Sequence, residues 1–156
     1  MLYIAFNPAG DRVLTTSSDY TAKLWSLKGK LLQNYVGHTN VIKWASFSPD
    51  GQLIVTASDD GTARLWDLQG NLHAKFSGHG NWVATAVFSP DGKRVVTASR
   101  DNTARIFLVD KDDLLQIAAC SLGRELSAEE MTLFDINESS LDLKSRVCPP
   151  VFSWEK

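Results

Sequence analysis

The chain has 156 residues, of which 44% are hydrophobic and 22% charged, with a formal net charge of −2. This balance is typical of a folded globular protein and excludes wholesale disorder. The 16 basic and 18 acidic residues give no reason to expect nucleic-acid binding, the two cysteines form no disulfide or zinc pattern, and no apolar run is long enough to cross a membrane.

The most informative feature is an internal repeat with a period of 41 residues. Four landmarks carry it along the chain without a gap. They are Phe6, Phe47 and Phe88; Asp19, Asp60 and Asp101; Trp25, Trp66 and Phe107; and the pairs Gly37-His38 and Gly78-His79. Such register over three units predicts a repeat architecture, in which each unit has the same supersecondary structure.

Each unit is predicted to form short strands separated by turns. In the middle unit, the Pro49-Asp50-Gly51 turn fixes φ at proline and supplies a positive φ at glycine. The β-rich run 53–58 follows, then residues 62–66 alternate polar and apolar side chains, and residues 72–76 lead to the second Gly-His pair. About four strands per unit is the content of one propeller blade.

At these residues the sequence resembles the WD-repeat β-propeller family. The resemblance is carried by Gly37-His38 with Trp66-Asp67, and by Gly78-His79 with Phe107. It covers residues 1–109 and implies an all-β fold, a partial propeller of three antiparallel blades at about 1–36, 37–77 and 78–109. Only the middle unit ends in a true Trp-Asp, since the others end in Trp25-Ser26 and Phe107-Leu108.

The resemblance also implies a hydrogen-bonded tetrad in each blade, made by a loop His, a strand Ser or Thr, a turn Asp and a strand Trp. The residues at these positions are His38, Ser58, Asp60 and Trp66; His79, Ser99 and Asp101; and Ser17, Asp19 and Trp25. Because buried polar groups need partners, the tetrad would tie the loop to the inner strands. Phe107 has no indole N–H, so we expect Ser99 to lack that partner.

The same residue types would suit a Ser/His/Asp hydrolase, in which His38 would activate Ser58. The set recurs from unit to unit, however, whereas a catalytic site rarely does, and the sequence has no Gly-x-Ser-x-Gly elbow. The three histidines show no metal-ligand spacing, and no nucleotide-binding loop is present. We therefore expect a non-enzymatic protein, with no catalytic, cofactor-binding or metal-binding residues.

The resemblance implies that loops on one face of the blades bind a protein partner. The candidate partner-binding residues are Tyr20, Asn40, Asp59, Trp82, Arg100 and Asn102, because aromatic and arginine side chains dominate interface hot spots. Residues 1–109 carry a net charge of only +3, which is too small for nucleic-acid binding. We expect a cytoplasmic scaffold with protein partners and with no nucleic-acid or membrane contact.

After residue 109 the pattern changes from strands to helices. Residues 110–136 are predicted to be helical, because an apolar face runs from Leu114 and Ser127-Ala128-Glu129-Glu130 forms a capping box. This stretch resembles the tail of bacterial, especially cyanobacterial, WD-repeat proteins, which are often multidomain signalling proteins. Residues 137–156 show no periodicity and contain Pro149-Pro150, so we expect little order there.

Three repeats fall short of the about four to eight blades of a propeller, and the third lacks a fourth strand. Exposed blade faces would favour self-association, since two copies would supply about six blades. The alternative is a truncated remnant of a longer propeller with no independent function, because the chain begins at an inner strand without a preceding Gly-His pair.

Overall fold

The computed structural model describes residues 1–109, which form eleven strands in three antiparallel sheets. Sheet 1 contains β1 (Tyr3–Phe6), β2 (Arg12–Thr16), β3 (Ala22–Ser26) and β4 (Leu31–Tyr35). Sheet 2 contains β5 (Ile42–Phe47), β6 (Leu53–Ser58), β7 (Ala63–Asp67) and β8 (Leu72–Phe76). Sheet 3 contains β9 (Val83–Phe88), β10 (Arg94–Ser99) and β11 (Ala104–Leu108). Within the described residues the predicted all-β class is confirmed. The predicted helices over 110–136 and the predicted loose end over 137–156 lie outside them.

Each sheet is a meander, in which strands that are adjacent in sequence are hydrogen-bonded neighbours. The register between the second and third strands is the same in every sheet. Val13 lies opposite Trp25, Ile54 opposite Trp66, and Val95 opposite Phe107. The 41-residue period of the sequence is therefore built as three copies of one pairing pattern.

The proline-containing turns join the first two strands of each sheet. Gly51 has a φ of +71°, a conformation that glycine adopts without steric strain. The Ser48 hydroxyl donates to the Asp50 carboxylate at 2.6 Å and accepts the Leu53 N–H at 2.8 Å. These contacts fix the start of the second strand, as the turn chemistry predicts.

Two apolar clusters hold the three sheets together. The first joins Leu14, Ala22, Leu24 and Tyr35 of sheet 1 to Ile42, Ala45, Ile54 and Trp66 of sheet 2. The second joins Val55, Ala57, Ala63, Leu65 and Phe76 of sheet 2 to Val83, Ala86 and Val95 of sheet 3. Because side chains alternate along a strand, Ile54 faces one neighbouring sheet and Val55 the other. Sheet 2 is thus buried on both faces.

The connections that matter for function lie at one end of the sheets. The turns 17–21, 58–62 and 99–103 are at this end, together with the loops 36–41 and 77–82 that enter the next sheet. The Asp59 N–H donates to the Val41 carbonyl at 2.9 Å, and the Arg100 N–H donates to the Trp82 carbonyl at the same distance. We call this end the loop face.

Candidate functional site

His38 enters sheet 2 from the loop that follows sheet 1, and its imidazole is fully buried. Nδ1 lies 2.7 Å from Asp60 Oδ2, and Nε2 lies 2.8 Å from Thr56 Oγ1. The Trp66 indole N–H donates to the same threonine hydroxyl at 3.0 Å. We call His38, Thr56, Asp60 and Trp66 the sheet 2 network. It joins the incoming loop and the β6–β7 turn to two inner strands.

The hydroxyl of this network belongs to Thr56, so the prediction of Ser58 is wrong. Ser58 Oγ donates to the Asn40 carbonyl at 3.1 Å and accepts a backbone N–H from the following turn at 3.1 Å. Thr56 and Ser58 lie on the same face of β6, because side chains two apart share a face. Trp66 is registered opposite Ile54, which places its indole nearer to Thr56.

The hydrogen bonds of the sheet 2 network run in one direction. The Trp66 N–H is a donor only, so the Thr56 oxygen accepts from it. The Asp60 carboxylate can only accept, so His38 Nδ1 carries the proton that binds it, and Nε2 of the neutral imidazole accepts the Thr56 hydroxyl. A proton on Nε2 would turn the Thr56 hydroxyl towards the Arg64 carbonyl at 3.5 Å, which is a poor bond. The geometry therefore fixes one tautomer of His38.

The surroundings keep the imidazole neutral and the carboxylate charged. Burial lowers the pKa of His38, against the opposing effect of Asp60, and the nearby cation of Arg64 lowers it further. Burial by itself would raise the pKa of Asp60. Hydrogen bonds from Thr62, His38 and the Thr39 N–H outweigh that effect and hold the pKa of Asp60 at about 2.

Acidification is expected to destabilise the fold through His38. The pKa of His38 is lower in the folded chain than in the unfolded chain, where it is about 6.5. The contribution of the neutral imidazole to stability is therefore complete above about pH 6.5 and declines as the pH falls below that value. Asp60 acts in the same direction only between about pH 4 and its folded pKa of about 2. The free energy of unfolding, from urea denaturation, should therefore fall between about pH 7.5 and pH 5.5.

The variant His38→Gln separates this effect from other titrations, because it removes the buried imidazole. Its pH dependence in the same window should be flatter than that of the wild type. His73→Gln is the matched control, since its side chain is 50% exposed, pairs with the Asp67 carboxylate at 3.5 Å and belongs to neither network, and it should not flatten the slope. An unchanged slope in His38→Gln would contradict the assignment.

Sheet 3 repeats the network without the indole. His79 Nδ1 lies 2.9 Å from Asp101 Oδ2, and Nε2 lies 2.7 Å from Thr97 Oγ1. The prediction of Ser99 is wrong for the same reason as that of Ser58, and Ser99 donates to a loop carbonyl at 3.1 Å. Because Phe107 has no N–H, the Thr97 hydroxyl lacks the indole donor that the Thr56 hydroxyl has in sheet 2.

Sheet 1 has the indole contact and the aspartate contact of the network, but no histidine joins them. The Trp25 indole N–H donates to Thr15 Oγ1 at 2.9 Å, so the hydroxyl again lies two residues before the predicted Ser17. Ser17 Oγ instead accepts the Asp19 N–H at 3.3 Å. Asp19 accepts the hydroxyl of Thr21 at 2.7 Å, and its carboxylate is half exposed. Without a histidine between them, the indole contact and the aspartate contact are not joined.

A glycine precedes each of these histidines for a steric reason. Gly37 has a φ of +156°, and a Cβ there would lie 3.2 Å from the Trp66 ring and 2.5 Å from Arg64 Nη1. A Cβ at Gly78 would likewise lie 3.1 Å from Arg105 Nη1. Gly78 also has a positive φ, +113°, so at both positions a side chain would be strained by the backbone as well as crowded by the arginine. This explains the Gly-His pair as a packing unit.

The arrangement does not provide a Ser/His/Asp nucleophile. The hydroxyl beside the imidazole, that of Thr56, is fully buried and accepts the Trp66 N–H, while the Ser58 hydroxyl bonds to the backbone. Among residues 1–109, no three His, Cys, Asp or Glu side chains are placed to hold a metal ion. The networks are therefore ties between loop and strands.

The part of the chain that the structure describes contains no helix long and apolar enough to cross a membrane.

Four of the six predicted partner-binding residues are exposed on the loop face. Tyr20 and Trp82 are 45% and 42% exposed. The Arg100 guanidinium lies over the Trp82 ring, 5.1 Å from its centroid, which is within the range of a cation–π interaction. Asn102 is exposed in the turn that follows Arg100. These side chains are available to a second molecule.

The other two predicted residues, Asn40 and Asp59, make local contacts. Asn40 Oδ1 accepts the Val41 N–H at 2.8 Å. The Asp59 carboxylate pairs with Lys43 at 3.3 Å, and only 9% of its side chain is exposed. Both residues hold the 36–41 loop against the β6–β7 turn, which leaves little of either for a partner.

The residues that sequence reasoning missed are threonines. Thr15, Thr56 and Thr97 are spaced by 41 residues, just as Ser17, Ser58 and Ser99 are, so the period alone does not separate the two sets. The signal that could have separated them is register. In an antiparallel hairpin of this turn length, the indole of Trp66 lies diagonal to Thr56.

Successive antiparallel meanders of three or four strands that pack face to face, with the second and third each tied to its loop by a Gly-His pair, are typical of the blades of a β-propeller. A family model described as "WD domain, G-beta repeat" matches residues 2–26, 29–67 and 70–107. The chain belongs to the WD40 repeat family. Among curated proteins, none matches it.

Proposed function

We propose that the chain is a non-enzymatic scaffold that binds protein partners through its loop face. WD40 repeats generally mediate protein–protein interaction. The observation that carries the proposal for this chain is the exposed pair of Trp82 and Arg100. Tryptophan and arginine are the residues most enriched at interface hot spots. The stacking of one on the other restricts both side chains before binding, which reduces the entropy lost on association.

The backbone of Tyr20 supports the same surface. Its φ is +70°, whereas the repeat places Gly61 and Asn102, at +81° and +65°, in the equivalent turns. Glycine and asparagine accept the left-handed conformation readily, but a tyrosine is strained by about 1 kcal/mol. A strained residue that is also an exposed aromatic is better explained by contact with a partner than by stability.

Tyr20→Asn is expected to raise the free energy of unfolding by about 0.5–1 kcal/mol, because asparagine relieves the left-handed strain. Urea denaturation of the full chain measures the change. Lys28→Asn, in the β3–β4 turn at the other end of sheet 1, is the control and should show no gain. A loss of stability in Tyr20→Asn would mean that the tyrosine is held by packing and is not strained.

The binding proposal is tested by quantitative affinity capture with the full chain as bait. The double variant Trp82→Ala/Arg100→Ala should lose about tenfold or more of each specific partner, the scale of a hot-spot loss. Lys28→Ala should retain them, because it lies at the opposite end of the sheets. Equal capture by the wild type and the double variant would contradict the loop face as the binding surface.

The cellular setting of this scaffold follows from the resemblance of the sequence over 110–136. We propose that the chain acts in the bacterial cytoplasm as the C-terminal part of a larger signalling-type protein. The exposed outer faces of sheets 1 and 3 are also expected to support self-association of the chain. These faces are separate from the loop face.

A further inference from the structure

One outer surface of the blades is formed by sheet 1. Sheet 2 packs against the other side of sheet 1 through Ile42, Ala45, Phe47, Ile54, Trp66 and Leu68. The residues 41 positions earlier are Met1, Ile4, Phe6, Val13, Trp25 and Leu27, and all are apolar. We call these six the free face of sheet 1. Four of them, Met1, Ile4, Phe6 and Leu27, are between 53% and 78% exposed.

The free face of sheet 1 also carries a groove. Its volume is about 430 Å³, and Val13 and Trp25 are among the residues that line it. At the equivalent place on sheet 2, Ile54 and Trp66 are buried beneath residues of sheet 1. The groove is therefore the place that another blade would fill.

The opposite outer surface is formed by sheet 3. Sheet 2 contacts sheet 3 through a set that includes Val55, Ala57, Ala63 and Leu65. The residues 41 positions later are Val96, Ala98, Ala104 and Ile106, which we call the free face of sheet 3. Ile106 is 68% exposed, and Val87, paired with Val96, is 40% exposed. Leu65 at the position equivalent to Ile106 is buried.

The two free faces are the two halves of a contact that the chain already makes twice. At the first junction Leu14 and Leu24 meet the cluster of Ile54 and Trp66. At the second, Val55 and Leu65 meet the cluster of Val95 and Phe107. A third junction of the same kind would place Val96 and Ile106 of one molecule against Val13 and Trp25 of another. Exposed apolar surface of this extent is typical of an interaction site.

The number of sheets limits how such a contact can close. A head-to-tail contact between two different surfaces either closes into a ring or continues as a filament. Propellers contain about four to eight blades, and residues 1–109 of each chain supply three sheets. The described residues of two chains supply six sheets, which lies within that range, whereas those of three chains would exceed it.

We propose that two copies of this chain associate head to tail, with the free face of sheet 3 in each copy packed on the free face of sheet 1 in the other. The association buries both exposed apolar surfaces in the environment that their equivalents have between sheets 1, 2 and 3. It leaves the loop face of each copy open. Its failure would not affect the effect of Trp82→Ala/Arg100→Ala on partner capture.

Size-exclusion chromatography with light scattering on the full chain is the test. The wild type should have twice the 17.2 kDa mass of one chain. Ile106→Glu and Ile4→Glu should each give a monomer, because a charge would be buried at both junctions of the ring. Both positions are exposed in the single chain, so near-UV circular dichroism should show that each variant is folded.

Leu72→Glu is the matched control, since Leu72 is 47% exposed but lies on the middle sheet. This variant should remain a dimer. A wild-type monomer whose stability falls in Ile106→Glu would assign the free face of sheet 3 to residues 110–156 and overturn the proposal. A dimer that survives both face substitutions, or a polymer in place of a dimer, would overturn it as well.

Discussion

Thr56→Val is expected to lower the free energy of unfolding by about 2–4 kcal/mol, although the two side chains have the same shape. The substitution leaves the Trp66 N–H and the lone pair of His38 Nε2 buried without partners. Each unsatisfied buried group costs about 1–3 kcal/mol, and no cavity is created to add to the loss. Urea denaturation at neutral pH measures the effect.

The matched control for Thr56→Val lies in sheet 3. Thr97→Val removes the partner of His79 Nε2 alone, because Phe107 has no N–H to lose. Its effect should be about half as large, in the range of about 1–2 kcal/mol. The difference between the two variants then reports the contribution of the indole. An effect of Thr97→Val equal to that of Thr56→Val would contradict the account.

Asp60→Ala is expected to lower the free energy of unfolding by about 3–4 kcal/mol. Its carboxylate accepts four hydrogen bonds. The donors are His38 Nδ1–H, the Thr39 N–H, the Thr62 N–H and the Thr62 hydroxyl, at 2.7, 3.2, 3.0 and 2.6 Å. Hydrogen bonds to a charged group are the stronger kind, and the Asp60 side chain is only 6% exposed, so water does not replace them well.

Asp19→Ala is the control for this change, at the equivalent turn of sheet 1. The Asp19 carboxylate is half exposed, receives hydrogen bonds from Thr21 and Lys23, and has no buried imidazole to support. Water can satisfy the donors that it leaves. Thermal and urea denaturation should show a loss well under half that of Asp60→Ala. Similar losses in the two variants would mean that the contact of Asp60 with His38 does not contribute to the free energy of unfolding.

The fold was largely predictable from spacing, because each 41-residue landmark is a position with a fixed place in the sheet. The run 53–58 is β6, and the alternating residues 62–66 fall on β7 at Ala63–Asp67, one residue further on. The aromatic landmarks Trp25, Trp66 and Phe107 are all third-strand residues registered opposite a β-branched partner. The spacing of the landmarks was enough to predict these features, because each strand pairs with the strand next to it in sequence.

The candidate site was predictable only in part. The structure places His38, Asp60 and Trp66 in one network, and it places Thr56 instead of Ser58 beside the imidazole, since a hydroxyl two residues away on the same face satisfies the same pattern. The register of β6 against β7 distinguishes the two hydroxyls, because it places the Trp66 indole beside Thr56. Asp59 was expected at the surface, but its contact with Lys43 on β5 depends on how two strands pack, which spacing does not specify.

The buried His38 ties the loop to the strands as a neutral hydrogen-bond relay. Long-range ¹H–¹⁵N correlation NMR at neutral pH measures which ring nitrogen of His38 carries the proton. The His38 ring should be neutral and protonated on Nδ1, and the Trp66 indole proton should exchange slowly. A His38 ring protonated on Nε2, or a charged imidazolium at that pH, would contradict this assignment.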